Sequence, residues 1–409
     1  MNPSRTLNEP PVNRRRRQSP MSLMVETPTQ SGSHRHVFRH PACAGGPPDK
    51  IERRPGEAES ASPAIGPPLV SVCVTAHNYA RFLPACIDSI LQQSYQSIEC
   101  IVVDDGSTDD SDAVLKGYGD RIKVVRHETA RGQLAAILGA FELARGQFVS
   151  FVDADDLLYR DNIATNIAAH LSEATYVALS TSFQHVIDTD GHIVATHPPL
   201  LLRPLFRLPK GSFATRVIES QSIEPIPVTL YDPQANYAHQ WLWGTMSSMM
   251  FRRDAVALVL SGRPSGFAVC ADAYLAQFCH AIGGTAMIEV PLGAFRRHGA
   301  NNYSTNVIVG GFAPLSDRHD HEENPRPLIA SHINAHGDEF CRALGVRRFV
   351  ALVEKFCPLP QALAILSRRG DVRLPMYAWF VMLWMARHLR LLTFRTRRVI
   401  GALRLTETP

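Results

Sequence analysis

An α/β fold with a mostly parallel central sheet follows from three observations: short apolar runs, amphipathic runs between them, and a polar cluster where each apolar run ends. The first strand is Leu69-Val70-Ser71-Val72-Cys73-Val74, ending in Thr75-Ala76-His77-Asn78-Tyr79. The spacing of Leu83, Ile87, Ile90 and Leu91 predicts a helix over Phe82 to Gln93. The second strand, Cys100 to Val103, runs into Asp104-Asp105-Gly106-Ser107-Thr108-Asp109. An Ala- and Leu-rich run from Gly132 to Ala144 predicts the next helix, and Phe148-Val149-Ser150-Phe151-Val152 the third strand, closed by Asp153-Ala154-Asp155-Asp156. In parallel sheets ligands bind beyond the carboxyl ends of the strands, where all three polar clusters fall.

Three carboxylates at one strand end repel each other, and a hard cation such as Mg2+ or Mn2+ relieves the repulsion while leaving positions open for phosphate oxygens. The competing reading is a solvated turn capping the next helix, a role Asp also suits. The convergence of three polar strand ends favours the metal.

The segments VSVCVTAHNYARFLPACIDSILQQSYQSIECIVVDDGSTDDS, ARGQFVSFVDADD, CADAYLAQF and FRRHGANNYS, in that order, resemble the inverting GT-A glycosyltransferases of family 2 over Pro68 to Ser304. The resemblance implies a GT-A nucleotide-diphospho-sugar transferase fold and a helical C-terminal region. It implies that Thr75 and Asn78 flank base and ribose, and that Asp105, with Asp104 beside it, accepts a hydrogen bond from the base. An acid suits that task because a uracil or thymine ring presents an N–H that is costly to bury unpaired. It assigns Asp153 to the ribose or metal shell, Asp155 to the metal with Asp156 in support, and His298 to a further metal or diphosphate contact. Transfer to a hydroxyl with inversion needs a base. Asp272 is the candidate, although Ala271 stands where the family carries the first acid of a pair.

Other departures bear on the diphosphate. The helix after the second nucleotide turn reads Gly132-Gln133-Leu134-Ala135-Ala136-Ile137-Leu138, and apolar Ile137 and Leu138 cannot make the polar contacts common in relatives. The charge then falls on the metal, on Arg131, or on Arg296 and Arg297. The Q/R-x-x-R-W sequence of processive synthases is absent, so one sugar per encounter is expected. The donor is expected to be a nucleotide-diphosphate sugar, a UDP-sugar first among them, and the acceptor a glycan or lipid-linked molecule chosen by residues between His192 and Phe251. Two alternatives stand beside this reading: a catalytically silent GT-A binding module, and a nucleotidyltransferase of related fold. The latter would normally carry a glycine-rich basic loop where Thr75 to Arg81 lies.

The chain has 409 residues and a formal net charge of +4. Ten basic and six acidic residues lie in 1–66, so the remainder balances at 32 of each, which argues against nucleic acid as a partner. Residues 1–66, with Arg14-Arg15-Arg16-Arg17 and many Pro, Ser and Gly, predict a disordered tail without the apolar core of a secretory signal. Residues 67–305 are expected to form the transferase domain and 306–409 a mainly helical region. The eight cysteines show no metal-finger spacing and read as reduced thiols of a cytoplasmic protein. The apolar run Met376 to Ala386 is short of the roughly 20 residues needed to span a bilayer. From Arg373 to Arg404 there are seven arginines and no acid. That pattern suits either a peripheral contact with the inner membrane surface or a helix docked on the catalytic domain.

Overall fold

The computed structural model describes residues 66–172, 176–197, 215–218, 226–233, 243–266, 271–298, 301 and 324–386, all within one compact unit, Ile65–Pro409. The segments 1–65 and 387–409, and with them the basic tail and most of the late arginines, lie outside the described residues, as do 198–214 and 234–242 of the acceptor region.

The N-terminal half alternates as the sequence predicts: β1 (Val70–Ala76), α1 (Leu83–Leu91), β2 (Ile98–Asp105), α2 (Ser111–Lys116), β3 (Lys123–His127), α3 (Gln133–Leu143), β4 (Phe148–Asp153), β5 (Leu157–Leu158) and α4 (Asn162–Leu171). There follow β6 (Leu179–Ile187), β7 (Ile193–His197), β8 (Thr215–Ile218), β9 (Ile226–Tyr231), β10 (Met249–Arg252), α5 (Arg253–Val259), α6 (Ala271–Gly283) and β11 (Thr285–Arg296). Helices α7 (Pro325–Ala335), α8 (Gly337–Phe356), α9 (Leu359–Ser367) and α10 (374–386) form the helical C-terminal region.

The strand order is β3-β2-β1-β4-β10-β6-β11-β9-β8, with β5 on β11 and β7 on β6. Strands β3, β2, β1 and β4 are mutually parallel, as expected from the helical crossovers. The sheet as a whole is mixed, because β10 runs antiparallel to both β4 and β6, and β9 antiparallel to β11. The extension has a sequence cause: β6–β7 and β8–β9 are antiparallel neighbours joined by short connections, which need no crossover helix.

Strands β1, β2 and β4 are buried on both faces, which explains their continuous apolar runs. Alternate residues enter two cores. Cys73, Ile101, Val103, Val149 and Phe151 face α3, α5, α6 and the C-terminal helices, while Val72, Val74, Val102, Phe148 and Val152 face α1, α2 and α4. Two glycines are demanded by the backbone near the strand ends. Gly106 has φ +70 and a Cβ there would lie 2.5 Å from Ala130 N; Gly132, at φ 91, precedes α3. The six described cysteines are buried and stand outside any disulfide.

Phe151 has no exposed surface and packs at 6.0 Å, with its ring tilted, against Phe251 of β10, joining the parallel and antiparallel parts of the sheet. Phe151→Ala is expected to cost about 3–5 kcal/mol in denaturant unfolding, the range for emptying a large aromatic site. A loss under about 1 kcal/mol would contradict this placement of the core.

Candidate functional site

Register builds the site. β1 pairs with β4 so that Thr75 lies opposite Asp153, and with β2 so that Ala76 lies opposite Asp104. The polar ends of three strands therefore meet at one rim, on the side where the strand order turns back from β1 to β4.

The acids of β2 are engaged by the protein. Asp104 is fully buried; its Oδ1 accepts from Ser107 N at 2.9 Å and its Oδ2 from Arg126 Nε and Nη2 at 3.0 and 2.9 Å. Asp105 Oδ1 lies 2.6 Å from His127 Nδ1, and its two oxygens accept from Arg131 N at 3.0 Å each and from Gly132 N at 2.8 Å. These contacts occupy the four lone-pair positions of a carboxylate. Arg131 is thus joined to the cleft through its backbone, and its side chain is exposed. Asn78 sits in the left-handed region at φ 60, where Asn is tolerated, and its Oδ1 accepts from Thr108 N at 2.8 Å. It ties the β1 loop to the turn after β2.

The acids of β4 meet the second half of the chain. Asp153 Oδ1 accepts from Gln133 Nε2 at 3.0 Å and from Thr75 Oγ1 at 3.5 Å, and its N–H donates to Ser247 Oγ at 3.0 Å. Asp155 Oδ2 lies 2.9 Å from His298 Nε2 and 3.3 Å from Asn301 Nδ2. Asp156, fully buried, accepts from Arg296 N at 2.9 Å and Thr245 Oγ1 at 3.5 Å. Tyr79 and Phe82 pack against the His298 ring at 5.6 and 5.0 Å.

Arg296 and Arg297, expected to face the diphosphate, are both buried. The Arg296 guanidinium donates to the carbonyls of Asp155, Asp188 and Thr189, and its charge binds the protein's own loops. Arg297 donates through its backbone to Ile187 O, and burial holds its guanidinium pKa down.

Asp272 lies in the first turn of α6, partly exposed. Burial raises its carboxyl to about 6. Burial, then Asp155 and then Asp272, raise Asp153 to about 7, so Asp153 and Asp272 sense each other across the cleft. Burial first, then Asp155 and Asp153, push Asp156 well above the usual carboxylate range.

Among the described residues no three acidic, His or Cys side chains converge as a ready ligand set. The donors present do fit a cation of the Mg2+ or Mn2+ type, which takes one or two protein ligands and completes its shell with phosphate oxygens and water. Asp155 and His298, 2.9 Å apart, are the pair whose donor types would suit it, and a cation there would relieve the acidity around them.

Gln133, Ser247 and Asn301 are site residues that sequence reading passes over. Gln133 is visible only as the residue after a helix-opening glycine, Ser247 has no local signal, and Asn301 could be suspected from its place three residues after His298.

Residues 71–223 match the family model of glycosyl transferase family 2. Glycosyltransferase GlyG of Streptococcus pneumoniae serotype 4 is 30% identical over 127 residues, 30% of this chain and 42% of that protein. The UDP-Glc:alpha-D-GlcNAc-diphosphoundecaprenol beta-1,3-glucosyltransferase WfaP of Escherichia coli is 34% identical over 134 residues, 32% of this chain and 52% of that protein. An uncharacterized glycosyltransferase of Haemophilus influenzae is 37% identical over 163 residues, 38% of this chain and 64% of that protein. Each match spans less than two thirds of the relative's own length. Among solved structures, S. aureus TarS 1-349 in complex with UDP-GlcNAc aligns over 78% of this chain and 88% of that chain, at 14% identity and a TM-score of 0.39. The mannosyltransferase PcManGT from Pyrobaculum calidifontis in complex with GDP-Man and Mn2+ aligns over 83% of this chain and 85% of that chain, at 20% identity and a TM-score of 0.37.

The raised acids set a pH dependence. Folded pKa values of about 7 for Asp153 and about 6 for Asp272 lie above the unfolded carboxylate value of about 3.9. Between those limits the folded protein holds protons the unfolded chain has released, so these groups weaken the metal-free fold as pH rises through the window. In EDTA, Asp153→Asn is expected to gain thermal stability relative to wild type as the pH is raised from about 5 to about 8. A difference that stays constant across that range would refute the raised pKa.

Proposed function

We propose that this chain, which carries a glycosyl transferase family 2 domain, is a metal-dependent inverting glycosyltransferase that moves a sugar from a nucleotide-diphosphate donor to a hydroxyl of a glycan or lipid-linked acceptor. The observation that carries this reading is one rim holding Asp153 opposite Thr75, Asp155 at 2.9 Å from His298, and Asp272 close enough to Asp153 to raise its pKa.

In this reading the nucleotide lies over the ends of β1, β2 and β4, with Thr75 and Asp153 beside the ribose. Asp105 is the acceptor for the base N–H, and since its lone pairs are taken, the Arg131–Gly132 turn must yield a bond to the base. Asp155 and His298, with Asp153 and Asp156 behind them, would hold Mn2+ or Mg2+, which when bound neutralises charge on the departing diphosphate. Asp272 takes the proton of the acceptor hydroxyl as that oxygen bonds to the anomeric carbon and the carbon–phosphate oxygen bond breaks on the opposite face, which inverts the centre. The name of WfaP, a UDP-Glc-dependent enzyme with a diphosphoundecaprenol-linked acceptor, supports a UDP-sugar and a lipid-linked acceptor for this chain.

A lipid-linked acceptor gives a role to α10. The outward face of this helix carries Leu374, Val381, Met382 and Met385, with Leu374 82% exposed. No described helix is long and apolar enough to cross a membrane. A helix that is apolar all round needs a cover on its outer side, and the acid-free, arginine-rich sequence from Arg373 to Arg404 fits an anionic lipid surface.

Three outcomes test these readings. Transfer or slow hydrolysis of one nucleotide sugar should require Mn2+ or Mg2+ and vanish in Asp155→Ala, whereas pyrophosphate release from a nucleoside triphosphate and a sugar phosphate would point to a nucleotidyltransferase. Asp272→Asn should lower kcat by about 10²–10⁴-fold while nucleotide binding persists, and the wild-type kcat/KM should rise with pH through about 6 as Asp272 ionises. For α10, the full chain should float with phosphatidylglycerol vesicles and not with phosphatidylcholine vesicles. A triple substitution Leu374→Ser, Met382→Ser, Met385→Ser that floats as well as wild type would remove the helix from the membrane contact.

A further inference from the structure

Gln133 opens α3 directly after Gly132. Its Nε2 donates to Asp153 Oδ1 at 3.0 Å, and its Oε1 accepts from Ala271 N at 2.9 Å. The surroundings fix which way the amide points. A backbone N–H can only donate, so the oxygen must face Ala271, and the amino group is thereby turned to the carboxylate.

Ala271 is the first residue of α6, and the opening N–H groups of a helix have no partner within it. Gln133 supplies one from another helix. The next residue is Asp272, so a single side chain links the end of β4 to the turn that carries the proton acceptor. Through these two bonds the Gln133 side chain ties the first turn of α6 to the end of β4. Leu134 and Ile137 of the same helix point into the core, which anchors the bridge from behind.

We propose that Gln133 is a positioning residue that sets the separation between the donor-binding Asp153 and the proton-accepting Asp272, an inference that rests on the transferase reading of this site. Loss of the bridge lets the start of α6 drift, and a displacement near 1 Å costs on the order of 10²-fold in rate.

The test uses the full chain with Gln133→Met, which keeps the length and removes both bonds, and Gln133→Glu, which keeps the acceptor for Ala271 and loses the donor to Asp153. In Gln133→Met, kcat is expected to fall by about ten- to a hundredfold, with the donor KM changed by less than about threefold. Amide hydrogen exchange over Ala271 to Tyr274 should speed up by about tenfold or more, while α8 and the central strands exchange as in wild type. Gln133→Glu should lose kcat with wild-type exchange at the start of α6, and it carries the test if Gln133→Met does not fold. A kcat within about twofold of wild type in the folded variants, or unchanged exchange at α6 in Gln133→Met, would overturn the proposal. A wild-type protein that transfers no sugar from any donor would count against the transferase reading instead, and the exchange measurement would still decide whether the bridge holds α6.

Discussion

Repulsion among carboxylates gathered at one sheet rim is the constraint around which the rest of the structure is arranged. The chain contains two kinds of acid there. Asp104 and Asp105 are balanced: one is met by Arg126 and a backbone N–H, the other by His127 and two backbone N–H groups. Asp153, Asp156 and Asp272 are not: burial raises all three, and neighbouring carboxylates raise Asp153 and Asp156 further. Asp104 and Asp105 are satisfied where they stand, whereas the raised acids carry an electrostatic cost that a bound cation would relieve.

The antiparallel half of the sheet supplies what the parallel half lacks. A β1-β4 edge alone would leave Asp155 and Asp156 facing solvent. Strand β10 brings Ser247 and Thr245 on its leading turn, and β11 delivers Arg296 N to Asp156 and, just beyond its end, His298 and Asn301 to Asp155. Arg296 then locks the corner by donating to three carbonyls. The cleft is therefore a product of mixed topology: parallel strands aim the acids and antiparallel ones enclose them.

The sequence made the parallel half readable because a strand buried on both faces leaves an unbroken apolar run. It placed the strand ends one to two residues early. Backbone pairing does not stop where apolar side chains stop, so β2 continues through Asp104 and Asp105, and β4 through Asp153. The acids themselves were legible, since they cluster locally. Gln133, Ser247 and Asn301 were not, because their value lies in partners far along the chain that no local pattern encodes. Arg296 was not legible for a related reason. A guanidinium near acids looks like an anion binder in sequence, but the fold gives Arg296 carbonyls to hold.

Asp272, the proposed proton acceptor, shows how opposing influences set a carboxyl pKa. It lies in the first turn of α6, and its Oδ1 accepts from Ala273 N at 2.8 Å. Both the helix N-terminus and this bond favour the ionised form, the former by about 0.3–1 kcal/mol, which is less than one pKa unit. Desolvation acts the other way and wins, carrying the group from 3.8 to about 6. A carboxylate so poised is basic enough to draw a proton from a hydroxyl as its oxygen attacks, yet ionised at neutral pH. Deeper burial would leave it protonated and idle, and full solvation would leave it a poor base. The bridge from Gln133 bears on that balance because it holds the first turn of α6 at the depth where both conditions are met.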